Sequence, residues 1–130
     1  MENENQYTPL RPKEFTYRAF ISYSSKDRKI GERFQREIET FKIPETLRGI
    51  ESPIGPIPKQ VTPIFRDRWD ARAAQDLDAY FEKTLNESAF LIVLCSPRAA
   101  VSEWVKKEIE TFQLQGKGDR IVAVVIDGTP

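Results

Sequence analysis

Glu108 is the residue whose type and position most suggest chemistry. At about 100° per residue, a helix through this region places Glu108 inside a broad apolar face, whose members are Val101, Trp104, Val105, Ile109 and Phe112. A carboxylate on such a face is costly to desolvate unless it is paired or lies at the lip of a cavity. Periodicity alone leaves two interpretations open. Glu108 pairs with an arginine or reaches solvent at the edge of the face, or it is a functional carboxylate.

Composition excludes several kinds of catalytic site. The 130 residues include no histidine and one cysteine, Cys95. Histidine-based acid–base catalysis, a Ser-His-Asp or Cys-His arrangement and histidine-ligated zinc are therefore excluded, as are an intrachain disulfide and a cysteine metal cluster. Lys plus Arg and Asp plus Glu both number 20. A balanced chain has no global attraction for nucleic acid or an anionic membrane, so any anion site must come from a local cluster.

Strands and helices alternate along the chain. Residues 1–14 are predicted to be a flexible tail, residues 15–130 one domain, and residues 42–60 an irregular Pro-rich insertion loop. Apolar runs predict four strands, at Arg18–Tyr23, Val61–Phe65, Ala89–Cys95 and Arg120–Ile126. Helical spacing predicts three helices, through 30–41, over 76–87 and from the Ser102 cap to about Gln115.

This order predicts an α/β fold, an open parallel sheet with helices on both faces. Ligands of such sheets bind beyond the carboxyl ends of the strands, so the loops after Tyr23, Phe65 and Cys95 form the predicted functional edge. The first strand is followed by Ser24-Ser25-Lys26-Asp27, which is not the Gly-x-Gly-x-x-Gly of a dinucleotide-binding domain. A phosphate-binding P-loop and the acidic cluster of a receiver domain are also absent from the sequence.

Three segments, in the right order, match one family. Phe20-Ile21-Ser22-Tyr23-Ser24 closes the first strand, Ile64-Phe65-Arg66-Asp67-Arg68 follows the insertion, and residues 96–108 read S-P-x-x-x-x-S-x-W-x-x-x-E. From about Tyr17 to Pro130 the chain resembles the Toll/interleukin-1 receptor (TIR) domains. The Pro-rich insertion is similar to that of a subset of bacterial members.

The resemblance implies a flavodoxin-like fold and an activity. Bacterial and plant-type TIR domains commonly cleave NAD at the nicotinamide–ribose bond, and the glutamate that corresponds to Glu108 is their catalytic residue. NAD is then a substrate; no cofactor and no metal are implied. The products are nicotinamide and ADP-ribose or a cyclic isomer. A carboxylate suits the oxocarbenium-like transition state, because it stabilises the positive charge or holds the ribose hydroxyls.

Further candidates for substrate binding lie at the predicted functional edge and in the 96–108 segment, namely Ser22, Tyr23, Ser24, Arg66, Arg68, Trp69, Ser102 and Trp104. Hydroxyls suit ribose or phosphate, guanidinium groups suit a pyrophosphate, and an indole suits stacking on a base. Each has a structural alternative. Tyr23 and Trp104 pack, the serines cap turns or helices, the arginines form ion pairs, and Trp69 anchors an interface.

Partners are also implied by the resemblance. The family usually has a fifth strand and a terminal helix, whereas this chain stops after the fourth strand, so we expect a longer protein with a C-terminal sensor or repeat domain. Expected partners are NAD and other TIR domains, with activation by oligomerisation in bacterial immune or antiviral signalling. We expect a cytoplasmic protein that binds neither nucleic acid nor membrane directly. The alternative function is a non-catalytic TIR–TIR interaction scaffold in signal transduction.

Overall fold

A parallel three-stranded sheet is the framework of the fold. The computed structural model describes residues 15–52, 54–65 and 77–128. Within them the strands are β1 (Tyr17–Ser22), β2 (Glu51–Ser52), β3 (Gly55–Pro56), β4 (Ser88–Cys95) and β5 (Ile121–Val125). The helices are α1 (Arg28–Thr40), α2 (Leu77–Asn86), α3 (Pro97–Ala100) and α4 (Glu103–Leu114). The predicted 1–14 tail lies outside the described residues.

The central strand is β4, as its sequence predicts. It pairs in parallel with β1 on one side and with β5 on the other, in the order β1-β4-β5. In register, Tyr17 faces Ser88 and Leu91 faces Ile121. The strand is apolar without a break because a parallel strand between two neighbours is covered on both faces. The prediction of a flavodoxin-like α/β sheet is confirmed.

Helices cover both faces of this sheet. On one face, Phe34 and Ile38 of α1 pack on a buried cluster formed by β1, β4 and two residues outside the strands, Tyr23 and Ile64. The strand members of this cluster are Ala19, Ile21, Ile92 and Leu94. On the other face, α2 and α4 pack on a second cluster, which contains Phe20, Leu91, Val93, Phe81, Leu85, Val105 and Phe112. Successive strand residues alternate between the two clusters, as pleating requires. No helix of the described ranges has the length and apolar character needed to cross a membrane.

The predicted second strand, Val61–Phe65, is wrong as a strand. Only Ile64 forms a bridge, in parallel with Ala19. The Arg18 N–H donates to the Pro63 carbonyl, and the Phe65 N–H to the Ala19 carbonyl. Pro63 has no N–H, so a regular ladder does not extend along this segment. The segment nevertheless lies beside β1, at the edge where the sequence predicts it.

The Pro-rich 42–60 segment contains more order than an irregular loop. β2 and β3 form a small antiparallel ladder in which Ser52 faces Gly55, and Lys42 bridges to Gln60. Gly55 has a φ of 113°, in a region of backbone space that favours glycine, and so permits the tight reversal. The composition of this segment does not reveal the pairing.

Candidate functional site

A buried carboxylate and a buried hydroxyl meet between β1 and α4. Glu108 is 3% exposed and Ser22 is fully buried. The Ser22 hydroxyl donates to Glu108 Oε1 at 2.7 Å. The prediction that Glu108 falls on the buried face of its helix is confirmed. Its contact with Ser22 is a pairing that the sequence-based interpretations of Glu108 do not include.

Helix α4 positions Glu108 through its cap and its apolar face. The Ser102 hydroxyl accepts from the Val105 N–H at 3.1 Å, which satisfies one of the free donors at the helix start. Val105, Glu108 and Phe112 then follow one another on the buried face. Val101 does not share this face, because it precedes the helix and is 79% exposed.

Trp104 lies one turn before Glu108 on α4 and packs against helix α2. Its ring meets Phe81 edge to face, with 5.1 Å between centroids, a favoured aromatic geometry. The structural alternative for Trp104 therefore holds in this structure. A substrate contact by Trp104 or by the capping residue Ser102 stays a prediction.

The residues after Ser22 make local contacts. Tyr23 is buried, and its ring lies against Gly31 of α1, so close that a Cβ at Gly31 would stand 2.5 Å from Tyr23 Cε2. The Ser24 hydroxyl accepts from the Lys26 N–H at 3.2 Å and caps a 3-10 turn over Ser25–Asp27. Packing and capping thus describe Tyr23 and Ser24 here, and ribose or phosphate binding by them stays a prediction. Arg66, Arg68 and Trp69 lie outside the described residues.

An ionic network that sequence reasoning missed ties together three loops at the carboxyl edge of the sheet. Buried Asp27 accepts from the Ser96 hydroxyl at 2.6 Å and from Arg98 Nε. Arg98 also donates to Asp127 Oδ2 at 2.9 Å, and this hydrogen bond lowers the Asp127 pKa. The two carboxylates in turn raise the pKa of Arg98. Ser96-Pro97 is a recognisable helix-start signal, but nothing local indicates that Asp27 is its partner.

An apolar cavity of about 340 Å³ lies away from Glu108. Its walls include Ala19, Ile38, Phe90 and Ile92, which belong to the α1 side of the sheet. Glu108 is on α4, which covers the opposite side. Neither Ser22 nor Glu108 lines this cavity, so it is separate from the site that these two residues form.

Comparison with known proteins agrees with the geometry. Residues 19–130 match the family described as TIR domain. Over 113 residues the chain is 31% identical to the NAD(+) hydrolase ApTIR of an Actinoplanes species, an overlap that covers 86% of this chain and 14% of that protein. The chain thus spans a small part of that relative's length. No solved structure matches it significantly. With its parallel sheet, its two helical layers and a family match over most of its length, the chain belongs to the TIR domain family.

Proposed function

We propose that this TIR domain cleaves NAD at the nicotinamide–ribose bond and that Glu108 is its catalytic residue. The observation that supports the proposal most strongly is the buried Glu108 carboxylate, which is hydrogen-bonded to Ser22 at the carboxyl end of β1. That edge is where open parallel sheets bind ligands. The name of the Actinoplanes relative, an NAD(+) hydrolase, supports the same activity.

The chemistry needs little beyond a well-placed carboxylate. The bond between ribose C1′ and the nicotinamide nitrogen breaks, and its electron pair leaves with nicotinamide, which departs neutral. The ribose carries the positive charge of an oxocarbenium-like transition state, which the Glu108 carboxylate stabilises. Water then attacks C1′ and loses a proton, which gives ADP-ribose; attack by an adenine nitrogen gives a cyclic isomer instead. No strong general acid is required, which suits a chain without histidine.

The finer parts of this proposal concern binding and assembly. The hydroxyls of Tyr23, Ser24 and Ser102 contact ribose or phosphate, and Trp104 lines the site. In the loop after Phe65, Arg66 and Arg68 bind the pyrophosphate, and Trp69 stacks on a base.

Self-association of TIR domains raises the rate of NAD cleavage, and the protein acts in bacterial immunity or signalling. These parts rest on the family resemblance, and a rise in specific activity with protein concentration tests the self-association.

The deciding experiment measures nicotinamide release from NAD by chromatography, at high protein concentration and with a crowding agent. Glu108→Gln removes the charge with little change in shape, and we expect release to fall by about a hundredfold or more, as for other losses of transition-state charge stabilisation. Glu110→Gln is the matched control, because Glu110 is an exposed acid on the same helix, and we expect release to be unchanged.

Two results would overturn the proposal. The first is release from Glu108→Gln at the wild-type rate, which would remove Glu108 from the chemistry. The second is no release from the wild type, which would favour the interaction scaffold. The same chromatogram identifies the second product as ADP-ribose or a cyclic isomer.

A further inference from the structure

We propose that Ser22 is a positioning residue for the Glu108 carboxylate, rather than a substrate-binding residue. This inference rests on the proposed function, since it assigns Ser22 a part in the reaction through Glu108. It changes the role predicted from the sequence for this position, which is contact with ribose or phosphate.

The contact itself fixes the direction of the hydrogen bond. An ionised carboxylate only accepts hydrogen bonds, so the Ser22 hydroxyl is the donor over the 2.7 Å to Glu108 Oε1. The hydroxyl proton is therefore committed to Glu108 and is not available to a ribose or phosphate oxygen. Such charge-assisted bonds are among the stronger ones in proteins, so loss of this donor removes a constraint on the orientation of the Glu108 carboxylate.

The position of Ser22 in the fold makes it a rigid anchor. It is the last residue of β1 and lies in register with Val93 of the central strand β4. Its neighbour Phe20 packs in the cluster that also contains Val105 and Phe112 of α4. The Ser22 hydroxyl therefore ties Glu108, 86 residues further along the chain, to the carboxyl edge of the sheet. Helix α4 places the carboxylate at this edge, and the hydrogen bond from Ser22 helps to orient its oxygens.

The test compares two serines that are buried to the same degree. Ser22→Ala removes the donor, and we expect kcat for nicotinamide release to fall by about ten- to a hundredfold, with KM little changed. Ser88 is the matched control, because it is also fully buried and its hydroxyl donates to the Thr84 carbonyl at 2.8 Å. We expect Ser88→Ala to lower the melting temperature to an extent similar to that of Ser22→Ala, and we expect its kcat to stay at the wild-type value.

Two further measurements keep the inference testable if Ser22→Ala fails to fold or if the domain does not cleave NAD. Ser22→Cys keeps the side-chain shape and a weak donor, and we expect a kcat between those of Ser22→Ala and the wild type. Crystal structures of the wild type and Ser22→Ala show whether the Glu108 carboxylate moves when its donor is gone, which does not depend on NAD cleavage.

The outcomes separate the two proposals. A displaced Glu108 carboxylate together with a reduced kcat in Ser22→Ala supports the inference. An unmoved carboxylate overturns it, and so does a kcat equal to that of Ser88→Ala. If the wild type releases no nicotinamide, the proposed function fails, and the crystal structures alone decide whether Ser22 positions Glu108.

Discussion

The buried side chain of Lys117 caps the carboxyl end of helix α2. It is 4% exposed, and its ammonium donates to the carbonyls of Leu85, Asn86 and Ser88 at 2.8, 3.1 and 2.8 Å. The first two carbonyls end α2, where four carbonyls lack helical partners. The ammonium also lies 4.4 Å from the centre of the Phe112 ring, a favourable cation–aromatic contact.

Replacing Lys117 by methionine keeps the apolar stem and removes the donor. We expect Lys117→Met to lower the free energy of unfolding by about 2 kcal/mol, because three buried carbonyls lose their shared partner. Urea denaturation measures this change. Lys106→Met is the control, since Lys106 is exposed on α4, and its substitution should cost little. Equal costs for the two substitutions would contradict the capping role.

The titration of Lys117 gives a pH dependence with a definite sign. Burial, and to a lesser extent the charge of Arg120, together lower its pKa from an ordinary value of 10.5 to about 8. Between these two values the unfolded chain holds the proton and the folded chain does not, so stability rises with pH through this window. The desolvation cost is fully present below about pH 8. We therefore expect the stability gap between wild type and Lys117→Met to widen from pH 8 to pH 10, as followed by urea denaturation. A gap that narrows over this range would contradict the assignment.

Glycine is needed at position 31 because the Tyr23 ring leaves no room for a side chain there, and not because of the backbone conformation of Gly31. In an open helix, Gly→Ala stabilises by about 1 kcal/mol. Here the added Cβ would stand 2.5 Å from Tyr23 Cε2, so we expect Gly31→Ala to destabilise the domain by about 1–3 kcal/mol in thermal unfolding. In a Tyr23→Leu background the ring is gone, and the same substitution should become neutral or stabilising. Stabilisation of the wild-type chain by Gly31→Ala would show that the ring moves away freely.

At the scale of elements, Ser102 and Ser96 both cap the start of a helix, but we expect their replacement by alanine to lower the free energy of unfolding by different amounts. Ser102 caps α4 by accepting from the Val105 N–H. Ser96 caps α3 by accepting from the Ala99 N–H at 3.0 Å, and it also donates to buried Asp27. We expect Ser102→Ala to cost about 1 kcal/mol and Ser96→Ala about 2–4 kcal/mol, because the latter also removes a donor from a buried carboxylate. Denaturant titration of both variants checks the order, and equal costs would show that the Asp27 bond adds nothing.

Elements with a strong periodic pattern were predictable from the sequence, and those governed by pairing partners were not. The continuous apolar run Ala89–Cys95 indicates a central strand, and the structure places it there. The segment Val61–Phe65 is also predicted as a strand, yet it forms a single bridge at Ile64, because Pro63 supplies no donor. The ladder between β2 and β3 leaves no hydrophobic pattern, since it is held by backbone pairing in a segment only a few residues long.

At the scale of the whole molecule, Arg98 joins segments that are far apart in sequence. It binds Asp27 after β1 and Asp127 after β5, while lying itself in α3 after β4. We expect Arg98→Met to lower the melting temperature at neutral pH, because buried Asp27 loses its ionic partner. Arg33→Met is the control, since the Arg33–Glu37 pair is exposed on α1, and such pairs contribute little.

The same ion pair predicts behaviour in acid. Arg98 lowers the pKa of Asp127 from its ordinary 3.8, so the unfolded chain binds this proton first as the pH falls. The stabilisation from Asp127 is present above 3.8 and is lost as the pH falls through its lower, folded value. The difference in melting temperature between wild type and Arg98→Met should therefore shrink below about pH 3.8. A difference that stays constant down to pH 2 would contradict this role of Asp127.

The candidate site was predictable in its parts but not in its connections. Helical periodicity places Glu108 on a buried face, and the structure confirms that placement. Ser22 is equally visible as a polar residue that ends an apolar strand. Their hydrogen bond depends on how α4 crosses the sheet, and a single sequence carries no signal for a contact between residues 86 positions apart. Asp27 and Arg98 escape prediction for the same reason, since they meet across 71 positions.

These separations have a consequence for synthesis of the protein. A ribosome releases the amino-terminal segment first, so β1 waits with its apolar side chains exposed until β4, its parallel partner about 70 positions later, has also emerged. Long-range parallel pairing of this kind forms late and slowly. The hydroxyl and the carboxylate therefore come together only once nearly the whole domain has folded. Under the proposed function, we expect that a nascent chain from which α4 has not yet emerged does not cleave NAD, because it lacks Glu108.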